Sequence, residues 1–91
     1  MTFAELDPAL RGKVEQIGMD AGSMWSEQFR EERGRDPEPE ECDEQADRLN
    51  ERLTRRARKI LDMHGVQPGD DLVDEIRTLL AQKFVEFSLD T

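Results

Sequence analysis

The residues with the chemistry to act are few: one histidine, one cysteine, a dense run of carboxylates and a dense run of arginines. General acid–base work by His64 needs an oriented partner, and no serine or cysteine adjoins it in the sequence. His64 instead precedes Gly65 at the expected end of a helix, where a cation is favoured by the helix dipole. If Cys42 and His64 lie on one helix they stand about six turns apart, too far to share a metal ion. The run DPEPEECDE lacks the alternating oxygen ligands and central glycine of a calcium loop. No glycine-rich loop follows a strand to cradle phosphate. These patterns predict a non-enzymatic protein with no catalytic residue, no metal and no cofactor.

The two charge runs remain. RLNERLTRRARKIL, residues 48–61, holds six of the chain's thirteen basic residues, in a protein of net charge −9. Just before it, seven carboxylates fall between Asp36 and Asp47 without an intervening base. Acidity at this level disfavours non-specific contact with DNA or anionic lipid. No aromatic residue interleaves with the arginines to stack on bases. Nucleic acid is therefore an unfavoured partner, and Arg52, Arg55, Arg56 and Lys59 form only a secondary candidate contact surface. Glu38, Glu40, Glu41 and Glu44 form the candidate acidic surface, suited to a basic protein partner.

Positioning these charges requires helices. Asp7-Pro8 is a helix start, an N-cap carboxylate followed by proline. Leu10, Val14, Ile17, Ala21 and Met24 then recur at four-and-three spacing, the sign of an apolar seam, and Gly34 is the stop. GRDPEPEE supplies a helix–helix turn. A second seam follows at Cys42, Ala46, Leu49, Leu53, Ala57 and Ile60; Gly65 closes it, with Val66 folding back in a Schellman-type cap. After the breaker VQPGDD, the apolar residues of a third segment (Leu72, Val73, Ile76, Leu79, Leu80, Phe84, Phe87) cover an arc of roughly 140°, wide enough to touch two neighbours. The pattern predicts one all-α domain over 1–91, with two long antiparallel helices at about 8–33 and 38–64 and a shorter one at 71–87.

On helical wheels the arginine stripe flanks the second seam, and Asp20, Glu27 and Glu31 flank the first. Antiparallel pairing across a loop centred near residue 37 puts both stripes on one side, with Glu27 near Arg48 and Asp20 near Arg52 or Arg55. The basic island is thus expected to be answered within the chain. Gly18, Gly22, Trp25 and Phe29 mark a second face on the first helix, where small residues admit a close backbone and aromatics supply area. Two occupants suit it: the third helix, or a partner or second copy. The lean apolar content, 35 % against 38 % charged, favours association, so a helical-bundle homodimer is expected.

The single cysteine permits no internal disulfide, and the chain's start is not the basic-then-apolar pattern of a secretion signal. No apolar run is long enough to span a membrane. A cytoplasmic protein is the resulting expectation. The leading functional expectation is a small acidic interaction module working by stoichiometric binding, as a regulator, inhibitor or adaptor. One alternative is an acidic decoy, of the phage-inhibitor, immunity or antitoxin type, that fills the basic groove of a nucleic-acid-handling protein. The other is a dimeric nucleic-acid-binding regulator using the Arg-rich stripe.

Overall fold

A computed structural model describes residues 1–89, which form a short 3-10 turn at Phe3–Glu5 and three helices: α1 (Pro8–Arg33), α2 (Pro39–Met63) and α3 (Asp70–Leu89). Local chemistry sets each boundary. The Asp7 carboxylate accepts from the Ala9 amide at 2.8 Å, and Pro8 opens α1 without leaving a donor unpaired. Gly34 ends α1 in the left-handed region (φ 69°), and its amide donates to the Arg30 carbonyl at 2.8 Å. At the start of α2, Glu41 reaches back and accepts from the Glu38 amide at 2.9 Å. Its far end is a complete Schellman motif: Gly65 takes φ 75°, the Val66 amide donates to Leu61, and the Gly65 amide donates to Asp62. Val66 then packs on the core.

The helices run up, down and up. Lys13 meets His64 at one end of the α1–α2 pair, and Arg35 grips Glu41 at the other, so these two are antiparallel as expected. α3 runs parallel to α1, with Leu80 beside Gly18 and Phe84 beside Gly22. It runs antiparallel to α2: Cys42 neighbours Ser88, and the Asn50 side-chain Nδ2 donates to the Arg77 carbonyl. The α1–α3 contact is the most extensive of the three and the α1–α2 contact the least. α3 therefore organises the bundle. Its Leu72, Ile76, Leu80 and Phe84 are all but fully buried, against Leu10, Val14 and Ile17 of α1 and Ala46, Leu53, Ala57 and Leu61 of α2. A side chain such as Phe84 contributes about 1.5–3 kcal/mol by leaving water.

The α1 seam departs from the expected line. Leu10, Val14 and Ile17 are buried as read, but Ala21 is only half-buried and Met24 is 69 % exposed. Beyond Ile17 the buried face rotates to Gly18, Gly22, Ser26 and Phe29. The cause is α3, which docks over the glycines and turns that side of α1 inward. Leu6, ahead of the N-cap, also enters the core, and the Phe3 amide donates to Glu75 on α3 at 2.8 Å. Among the described residues, no helix is long and apolar enough to cross a membrane.

Candidate interaction surface

Gly18, Gly22, Trp25 and Phe29, read as a partner or dimer face, are used largely inside the chain. A Cβ on Gly18 would lie 3.0 Å from the Leu80 carbonyl oxygen, and one on Gly22 would overlap the Phe84 carbonyl. Ser88 locks the crossing: its hydroxyl donates to its own Phe84 carbonyl at 2.6 Å, with the Gly22 carbonyl 3.3 Å away. The third helix, one of the two occupants considered, packs on the glycine part of this face. Trp25 bridges it to the surface, its ring centroid 5.4 Å from Phe29 and 5.7 Å from Phe84.

At the α1–α2 turn, Arg33 and Arg35 lie over the Phe29 ring at 5.1 and 5.0 Å, a cation–π clamp. Arg35 also makes a bidentate pair with Glu41, at 2.9 and 3.2 Å. Together with the Glu38 amide, that guanidinium holds the Glu41 carboxyl well below its ordinary value, at about 2. Glu41 is thus committed to the fold. A cleft of about 290 Å³ opens beside it, between Trp25 and Phe29 of α1 and Glu44 and Arg48 of α2.

The in-chain answer to the basic island is not formed. Among the described residues, no salt bridge joins Asp20, Glu27 or Glu31 to Arg48, Arg52, Arg55, Arg56 or Lys59. Asp20 instead accepts from Gln16 one turn away, at 2.6 Å. The antiparallel register was read correctly, since Arg48 and Gln28 share a cleft. The rotation was not. With α3 claiming one flank of each long helix, α1 and α2 meet too lightly to zip their charged edges.

The result is a charged helix face with no ion-pair partner among the described residues. Glu40, Glu44, Arg48, Glu51, Arg52, Arg55, Arg56, Arg58 and Lys59 are all exposed on α2. Glu38 joins them just before the helix. Acids dominate the N-terminal half and bases the C-terminal half; Glu40 and Glu41 in the first turn match the helix dipole there, whereas the last turn carries no base. The arginine stems also carry apolar length that a partner could cover.

The two remaining reactive side chains sit within the fold's own contacts. Cys42 is fully buried on the α2 seam, and burial pushes its thiol above its ordinary value. His64 donates from Nδ1 to the Ile60 carbonyl at 2.9 Å in the tautomer this contact requires, leaving Nε2 to accept from the Lys13 ammonium at 3.5 Å. No cluster of three or more His, Cys, Asp or Glu side chains suited to a metal ion occurs among the described residues. Compared with protein-family models, with curated proteins and with solved structures, the chain matches none.

Proposed function

We propose that this chain is a small non-catalytic binding protein that acts stoichiometrically through the outward face of α2. The observation that carries this reading is the unclaimed charge of that face: six bases and their neighbouring acids stand in solvent on a rigid helix whose other side is the core. Charge arranged this way contributes little to the fold, because exposed pairs are worth about 1 kcal/mol at most and these are not even formed. It does contribute to steering and to partner selection.

The face carries both signs, which bears on the rival readings. An acidic decoy would present carboxylates alone, whereas Glu41 is tied to Arg35 and Glu44 lies one turn from Arg48. A nucleic-acid surface would present bases alone, whereas Glu40, Glu44 and Glu51 would meet the phosphates. The partner that fits best is a protein surface with its own acidic and basic patches. A regulator, inhibitor or adaptor of a cytoplasmic process could all work in this way.

The test is affinity capture from the native host with wild type and two variants, Arg52→Glu/Arg55→Glu and Glu40→Lys/Glu44→Lys. A two-signed partner is lost with both. An acidic decoy loses its partner only with the second, and a nucleic-acid binder retains nucleic acid in wild type and loses it with the first.

A further inference from the structure

The order of charges on α2 is more specific than a division into halves. Reflection through the Leu49–Asn50 peptide bond exchanges Glu44 with Arg55, Glu51 with Arg48 and Asp47 with Arg52. The outer charges obey the same reflection, positions 40 and 41 against 59 and 58, and 43 against 56. Between residues 40 and 59 every acid therefore has a base as its mirror image, and no charged residue is left over.

A reflection that reverses chain direction is what a twofold axis imposes on two antiparallel copies of one helix. The helical phase agrees. At 100° per residue, Glu44 and Arg55 lie within roughly 20° of each other, and Arg48 and Glu51 within roughly 60°. Both pairs centre on the direction opposite the buried line of Cys42, Ala46, Leu53 and Ala57. The symmetric positions thus sit in the middle of the solvent face. Glu44 and Arg55 do not answer one another within a chain, being about 16 Å apart along the axis, whereas Arg48 and Glu51 are neighbours three residues apart.

We infer that the α2 face binds a second copy of this chain, the two helices antiparallel about a twofold axis at Leu49–Asn50, with Glu44 of each copy against Arg55 of the other. The inference rests on reading the α2 face as the interaction surface, and it names the occupant. The contact is a ladder of exposed ion pairs, individually weak and screened by salt, so the dimer is a low-salt species. A partner with a closer complement displaces one copy.

The experiment is sedimentation equilibrium of the full chain at about 0.01 M and about 1 M salt, where the screening length falls from about 30 to about 3 Å. Wild type is expected to be dimeric at low salt and monomeric at high salt. Glu44→Arg and Arg55→Glu should each weaken self-association by about tenfold or more, since each turns two symmetric pairs into like-charge contacts. Mixed together, the two single variants should dimerise with each other. The double variant, with both reversals in one chain, should dimerise with itself. Circular dichroism confirms that each variant is folded. A wild type that stays monomeric at low salt overturns the proposal, as do single variants that still self-associate or fail to pair when mixed. Host-partner capture that still depends on α2 charges would leave the binding function standing while this dimer falls.

Discussion

Gly22 of α1 lies directly beneath the Phe84 carbonyl of α3, so closely that the carbonyl carbon and Cα of Phe84 both stand 3.1 Å from where a Cβ would be. The obstacle is backbone, which cannot swing aside as a side-chain tip would. Gly22→Ala must therefore push α3 outward, at a cost of about 1–3 kcal/mol for overpacking, against at most about 1 kcal/mol gained in helix propensity. We expect a net loss in urea unfolding. Gly12, on the same helix, has nothing within 4 Å of its Cβ position, so Gly12→Ala should raise stability by up to about 1 kcal/mol.

Thr54 is 2 % exposed, and its hydroxyl has no hydrogen-bond partner among the described residues. Thr54→Val keeps the β-branched shape and removes the unsatisfied group. The expected gain is about 1 kcal/mol, read as a higher urea midpoint at unchanged slope.

Glu41 gives the fold an acid-sensitive joint. Its carboxyl is depressed from 4.5 to about 2, first by the Arg35 guanidinium and then by the Glu38 amide. A depressed carboxyl stabilises fully above its unfolded value, and that stabilisation disappears as pH falls through the folded value. Wild type should therefore lose stability relative to Glu41→Gln between about pH 4.5 and about pH 2. Parallel denaturation curves over that window check the sign.

Cys42 is enclosed by the α2–α3 contact and its thiol is raised by burial, so little thiolate exists at neutral pH. A maleimide or disulfide reagent should leave the native protein almost unlabelled, reacting fully only once denaturant opens the bundle. Rapid labelling of the folded chain would show that α2 and α3 part readily.

The sequence made the boundaries legible because boundaries are local. Asp7-Pro8, Gly34 and the Gly65-Val66 cap act within a few residues of themselves, and each stands where it was read. The α2 and α3 seams were legible in most positions because they are periodic, but Leu49, Ile60, Leu79 and Phe87 are only half-buried, while Thr54, Leu61 and Ser88 go inside. The lower half of α1 was legible only in part: Gly18, Gly22 and Phe29 mark a face that admits a close backbone and α3 fills it, but Met24, placed on the seam, is exposed and Ser26, placed nowhere, is buried. Small residues are inside because a backbone comes close, and that backbone belongs to a segment some sixty positions away. The same misplacement undid the charge pairing. The register of α1 on α2 follows from loop position, but their rotation is fixed by α3, so wheel geometry for two helices alone put Asp20 and Glu27 opposite arginines they do not reach.

On the proposed function, the arginines of α2 serve a surface outside the chain rather than the fold. One paired measurement tests it most directly: the thermal midpoint of Arg52→Glu/Arg55→Glu and the amount of specific protein partner the variant captures from the native host, both against wild type. An unchanged midpoint is expected, with the partner held near one-to-one by wild type and released by the variant. A variant that melts well below wild type, or one that captures its partner undiminished, would contradict it.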